Sequence, residues 1–166
     1  SFICAVRQPD GKLIVAGAYN TIAGQGRSGL ARLYNDGTPD PLAPDFHGGF
    51  VNDIALLNDG RIVVGGSISQ VDNKLTYGAA LLQADGSVDH SFESQINNIV
   101  YAVAVQADGK ILVGGNFSNV WGVTRRAIAR LKPDGRIDET FNANLGSGAV
   151  QSIAIGPDGK IYAGGN

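Results

Sequence analysis

The chain has 166 residues, 43% hydrophobic and 17% charged, with 24 glycines, which is apolar enough to bury a core and too apolar for disorder. Its formal net charge of −2, with Lys and Arg scattered along the whole length, argues against a nucleic-acid groove or an anionic-membrane surface; no run reaches the roughly 18 apolar residues of a spanning helix. A single cysteine, Cys4, excludes an intramolecular disulfide, and the lack of methionine behind an opening Ser1-Phe2-Ile3 unlike a signal peptide predicts a processed product or a piece of a longer protein.

In chain order, the first element is a short strand through Ala5-Val6-Arg7, a turn at Gln8-Pro9-Asp10-Gly11, and a return from Lys12 to Gly17. The same phrase comes back over 53–66, 102–115 and 152–165. Its marker glycines Gly11, Gly60, Gly109 and Gly159 are 49, 49 and 50 residues apart, a period that means a solenoid, a propeller or an array. A second series, Gly37, Gly86 and Gly135, follows 26 residues after the first marker of each repeat, so every period holds two similar turns.

The third repeat shows the elements most clearly. Val100 to Val105 is rich in β-branched residues and meets Asp108-Gly109, for which a type I′ turn is expected, before Lys110 to Val113 runs back. A polar connection over 116–126 follows. Ala127 to Leu131 then leads into Asp134-Gly135 and a return through Ile137 to Phe141. Four strands of about five residues per period, with no amphipathic segment long enough for a helix, predict an all-β fold of four-stranded antiparallel blades, a β-propeller. The repeats run 1–49, 50–98 and 99–148, with a half repeat over 149–166, giving one partial propeller domain of about three and a half blades.

Alternation places Val100, Ala102 and Ala104 on one face of the inner strand and Tyr101, Val103 and Val105 on the other, so both faces are expected to be buried. Ala16-Gly17, Gly65-Gly66, Gly114-Gly115 and Gly164-Gly165 end the second strand at one shared place. They read as packing devices, since a phosphate cradle needs a helix after it and none follows. Repeat one has three prolines between Thr38 and Phe46, so its fourth strand is expected to be short or displaced.

The phrase from Gln106 to Phe117, followed by Ile128 to Phe141, resembles the delta-60 β-propeller repeat, and the resemblance covers essentially the whole chain. It implies a bacterial protein, commonly large, exported and carrying adhesion-type modules, with an extracellular or cell-surface location and no established general activity. Kelch-like propellers share only the glycine doublet.

Candidate chemistry is sparse. His47 and His90 stand between hairpins in no motif, and Cys4 fills the slot taken by Asp53, Ala102 and Ser152, where a small packed residue is expected. The aspartates of the Asp-Gly pairs belong to turns. Asp40, Asp89 and Asp138 recur three residues after the second turn glycine and suit either a loop cap or an ion pair with Arg32 and Arg130. Leu81 replaces that Arg in repeat two and favours the cap. No segment carries the closely spaced oxygens of a calcium loop.

Positions that break the internal repeat are more informative. In the connection between second and third strands, Ala23, Asp72 and Trp121 correspond, as do Ser28, Tyr77 and Arg126; Trp121, Tyr77, Arg125 and Arg126 are thus large side chains on otherwise small or polar loops. Trp121 reads either as a binding anchor or as a loop residue folded over the blade edge. Asp53 and Arg7 are charges in inner strands where the other repeats are small or apolar. The expected function is a non-catalytic module that binds a protein or glycan, with Trp121, Tyr77, Arg125, Arg126 and Asp53 as candidate contacts. No cofactor, nucleic acid, metal or membrane insertion is expected. An enzyme with Asp53 at the propeller axis and a plain spacer are the alternatives. Because three and a half blades do not close a ring, further blades of a parent chain or self-association are expected to complete it.

Overall fold

The computed structural model describes residues 2–22, 24–26, 29–41, 44, 46–143 and 145–166, and all its regular elements are strands. Blade one contains β1 (Phe2–Arg7), β2 (Leu13–Gly17), a small hairpin of β3 (Thr21–Ile22) and β4 (Gln25–Gly26), and β5 (Leu30–Leu33). After a link strand β6 (Phe46–His47), blade two repeats the plan with β7 (Val51–Leu56), β8 (Ile62–Gly66), β9 (Gln70–Val71), β10 (Lys74–Leu75) and β11 (Ala79–Leu82). Blade three has β12 (Val100–Val105), β13 (Ile111–Gly115), β14 (Asn119–Val120), β15 (Val123–Thr124) and β16 (Ile128–Leu131); β17 (Val150–Ile155) and β18 (Ile161–Gly165) form the half blade. Each blade is an antiparallel sheet with its second strand central, as in β1-β2-β5. The inner strands β1, β7, β12 and β17 lie side by side in chain order, and no sheet closes on itself among the described residues.

The fourth strand is reduced to one bridge per blade: Leu33 with Pro39, Leu82 with Val88, and Leu131 with Ile137. Flanking backbone bonds hold it, as where Asp138 N donates to Arg130 O at 2.8 Å. Repeat one keeps the same geometry, with Asp40 N donating to Arg32 O at 2.8 Å, so its prolines do not displace the strand as expected. The bridge is made by Tyr34 N donating to Thr38 O at 2.9 Å and Asp40 N to Arg32 O, so the N–H that Pro39 lacks is not used in the pairing. Leu42, Ala43 and Asp45, in the remainder of that proline-rich stretch, lie outside the described residues.

The hairpins turn at the Asp-Gly pairs, but not by type I′ geometry. Gly109 N donates to Gln106 O at 2.9 Å and Gln106 N to Lys110 O at 2.9 Å, while only Gly109, at φ +82°, is left-handed. This is a type I turn closed by a left-handed glycine, which suits Pro9 at the second position of the first such turn. Asp108 Oδ1 accepts from Lys110 N at 3.1 Å and holds the corner. The two-residue left-handed turn is at Trp121-Gly122 instead, φ +54° and +77°, between the paired Val120 and Val123. The connection read as polar is a small hairpin in each of the three full blades.

Asp-Gly turns gather at one end of each blade and the small hairpins at the other. The exit from one blade pairs with the small hairpin of the next: Phe46 with Val71, and Ile96 with Val120. That pairing ties consecutive blades along the hairpin rim.

The inner strand does not keep the simple alternation read from sequence. A bulge between Val100 and Ala102, repeated at Val51/Asp53 and Val150/Ser152, puts two residues opposite one and turns Val100 and Val103 to the same face. That face meets the glycine doublet of the preceding blade. A Cβ on Gly65 would lie 2.6 Å from Val103 Cγ1 and 2.7 Å from Val100 Cγ1, and one on Gly114 would lie 2.5 Å from Val150 Cγ1. The second glycines, Gly66 and Gly115, are pressed instead against the carbonyls of Phe50 and Ile99 within their own hairpins. The doublets are packing devices, as expected. Two large clusters result, one holding Val51, Ile62 and Val64 between blades one and two, the other Val100, Ile111 and Val113 between blades two and three.

The half blade offers a control. A Cβ on Gly164 would meet only Ser152 Oγ, at 3.0 Å. Gly65→Ala should therefore cost about 1–3 kcal/mol by overpacking, whereas Gly164→Ala should stay within about 0.5 kcal/mol, both read from equilibrium urea denaturation.

Candidate functional site

Asp53 lies on β7, where its carboxylate is fully occupied by backbone. Oδ1 accepts from Ile54 N at 2.9 Å and Oδ2 from Val103 N, on the next blade's inner strand, at 2.9 Å. Beside it Asn52 Nδ2 donates to Val100 O at 2.9 Å, so the pair stitches blade two to blade three. Burial raises the carboxyl of Asp53 above its ordinary value, and the two amide donors oppose the rise. Cys4 is close by. Burial, with the Asp53 charge adding to it, pushes its thiol up to about 11, so it is protonated at neutral pH.

His47 and His90 are both exposed, on the links that leave blades one and two. Among the described residues no three His, Cys, Asp or Glu side chains come together as metal ligands.

Asp89 and Asp138 both cap and pair. Asp138 Oδ1 accepts from Thr140 N at 3.1 Å and Thr140 Oγ1 at 2.6 Å, while Oδ2 faces Arg130 Nε at 2.9 Å and Lys110 Nζ at 3.2 Å. The preference for a cap over an ion pair is thus corrected, because the carboxylates of Asp89 and Asp138 use one oxygen for each. In repeat two Leu81 fills the Arg slot, and among the described residues one cation remains: Arg61, in the slot from which Lys12 and Lys110 also reach their aspartates, at 3.2 Å from Asp89 Oδ2. Against their burial, the Thr140 and Ser91 hydroxyls and these cations hold the carboxyls of Asp138 and Asp89 below the usual range, that of Asp138 far below it.

The hairpin rim holds the remaining candidates, and it separates them. Trp121 is half-buried against the blade core; its Nε1 donates to Gly135 O at 3.0 Å and Arg136 stacks on its ring at 4.9 Å. Arg125 is buried and ties down the exit of blade three, with Nε donating to Phe141 O at 3.1 Å and Nη2 to Glu139 O at 3.2 Å. Arg126 is exposed. Tyr77 is 43% exposed and stands in a cleft between blades two and three. Ala23 and Ser28, the corresponding positions of repeat one, lie outside the described residues. The five candidates do not form one site: Asp53 is among the inner strands, and Trp121 and Arg125 direct their side chains into blade three.

The cleft around Tyr77 has two lobes, of about 210 and 250 Å³, which share Tyr77, Ile96 and Asn97. Gln95, Asn98 and Asn119 contribute further amides to its walls. Sequence reading missed these amides because the cleft joins the exit of one blade to the small hairpin of the next. The signal available was the run Gln95, Asn97 and Asn98 just before an inner strand.

Repeated three-strand blades linked by shared rim hairpins define a β-propeller repeat protein. The family model described as domain of unknown function (DUF5122) beta-propeller matches residues 8–42, 57–92 and 106–141, more than half of the chain, and the chain belongs to that family. A search of curated proteins returned no match.

Two outcomes follow for the carboxylates. Arg61→Ala leaves Asp89 without a cation in ion-pair range among the described residues and should cost about 1.5–3 kcal/mol, while Lys110→Ala should cost less because Arg130 remains on Asp138. Because folded Asp89 and Asp138 titrate below their unfolded values, their stabilisation is present above about pH 4 and is lost as pH falls towards the folded values. Asp138→Asn should make the acid limb of a stability-against-pH curve shallower, as measured by thermal melts between about pH 2 and 7.

Proposed function

We propose that the chain is a non-catalytic recognition module, taking a protein or glycan on its hairpin rim within a larger, exported bacterial protein. The observation that carries this reading is the contrast between the two regions of candidate residues. Asp53 spends both oxygens on backbone donors and Cys4 keeps its proton, whereas Tyr77 presents half its surface on a rim held by blade-to-blade pairing. Rigid loops with an exposed aromatic favour binding, because little side-chain freedom is lost on contact. In this reading the bare face of the half blade, where Tyr162 is 59% exposed, packs against further blades of a parent chain or against another copy.

The test is a binding screen against a glycan array and a panel of purified cell-surface proteins, run with wild type, Tyr77→Ala and Arg126→Ala. At least one rim variant should lose about tenfold or more in affinity for the partner found. An ester or glycoside turnover that disappears on Asp53→Ala or His90→Ala would overturn the module in favour of an enzyme at the axis.

A further inference from the structure

We infer that the two-lobed cleft between blades two and three binds an uncharged carbohydrate, with one sugar ring stacked on Tyr77 and its hydroxyls met by Gln95, Asn98 and Asn119. This deepens the recognition-module reading and rests on it.

The chemistry of the walls selects the ligand class. No charged side chain lines either lobe. An anion would find no Lys or Arg there, and a cation would find no carboxylate. Ile96 is buried, so a purely apolar segment would gain little beyond the ring of Tyr77. What the cleft does offer is a mixture of donors and acceptors around one aromatic face. Tyr77 Oη makes no hydrogen bond within the described residues, so it can donate or accept. Asn119 Oδ1 is taken by Gly122 N at 2.8 Å, and Asn98 Oδ1 by Ile99 N at 2.8 Å, which leaves the NH₂ group of each as an open donor. Gln95 gives one amide hydrogen to Glu93 Oε1 at 3.2 Å and keeps its own oxygen as an acceptor. Sugar hydroxyls both donate and accept, and the axial C–H groups of a pyranose ring supply the apolar face an aromatic ring needs.

The walls are also built before any ligand arrives. Tyr77 N donates to Ser94 O at 2.9 Å and Tyr77 O accepts from Ile96 N at 3.2 Å, which fixes the residue between two chain segments. Ser94, itself buried, donates its hydroxyl to Tyr77 O at 2.7 Å from behind. On the facing side Asn97 is consumed in holding the small hairpin: Oδ1 accepts from Ser118 N and Asn119 N, each at 3.0 Å, and Nδ2 donates to Ser118 Oγ at 3.0 Å. Trp121 contributes through its backbone, with N donating to Gln95 O at 2.8 Å while its ring faces away into the blade edge. Each lobe is below the roughly 300 Å³ at which enclosing pockets begin, so the site suits a ring or two at the end of a glycan in an open cleft. The cleft is particular to this boundary, because the residue corresponding to Tyr77 in repeat three is Arg126.

The deciding experiment uses the full chain and an array of uncharged oligosaccharides alongside their sulfated and sialylated counterparts, followed by calorimetric titration of the best binder. Binding to an uncharged glycan is expected, with Tyr77→Ala weakening it about tenfold or more, Tyr77→Phe keeping the stacking and losing about two- to fivefold, and Asn98→Ala losing about threefold. Arg126→Ala should leave it unchanged, and thermal melts of all four variants should match wild type, since these side chains are exposed. Absence of binding to every uncharged glycan at millimolar concentration, or binding that survives Tyr77→Ala, overturns the inference. If a cell-surface protein or a charged glycan is bound instead and Arg126→Ala abolishes it, this inference falls while the recognition module stands. Turnover that depends on Asp53 removes both.

Discussion

The structure depends on one close approach: blades two and three carry Gly65 and Gly114 near the ends of their second strands so that the next blade's inner strand can set branched side chains there, and blade one has the small Ala16 at the same place. Without a Cβ at Gly65, the γ-carbons of Val100 and Val103 occupy the space a side chain would fill. The bulge at the start of the inner strand follows from the same requirement, because two residues three apart must face one notch. The two main apolar clusters are built around these contacts between neighbouring blades. In an array of this kind each repeat gains most of its burial from its neighbours, so the interface counts for as much as the blade itself.

Polar groups fill what the apolar notch cannot. Asn52 and Asp53 pair with main-chain groups across the blade boundary; Asp40, Asp89 and Asp138 each meet a cation, and Asp89 and Asp138 also cap a turn. Repeat two keeps the cation that all three repeats share, from Lys12, Arg61 or Lys110, and lacks the second one that Arg32 and Arg130 supply in the others. Removing one partner from such a buried pair costs more than the pair adds, so Asp89 depends on Arg61. Tyr77, Gln95, Asn98 and Asn119 on the hairpin rim, by contrast, keep open donors or acceptors.

Much of the fold was legible because its causes are local. A 49-residue period, paired Asp-Gly turns and glycine doublets each reflect chemistry within a few residues, and the blade plan follows from them. The turn type was not, since Asp-Gly serves both a two-residue left-handed turn and a type I turn closed by glycine, and the choice is set by strand register. The bulge escaped for a similar reason: Val100 and Val103 read as opposite faces until the neighbouring notch brings them together. Tyr77, Trp121 and Arg126 stood out as breaks in the repeat, yet only coordinates separate a half-exposed ring from one that gives its N–H to Gly135 and lies under Arg136. The amides around Tyr77 come from segments more than twenty residues apart, so no local pattern announces them.

The central claim, that cohesion rests on a side chain seated in its neighbour's glycine notch, is tested most directly by a double-mutant cycle between Gly114 and Val150. Gly114→Ala and Val150→Ala each remove one half of the fit, and equilibrium urea denaturation gives the stability of both and of the double variant. If the notch receives Val150, the double variant loses less than the two single losses combined, by about 1 kcal/mol or more, because the new methyl occupies the space the valine vacates. Losses that add to within about 0.5 kcal/mol would contradict the account, since residues out of contact behave in that way.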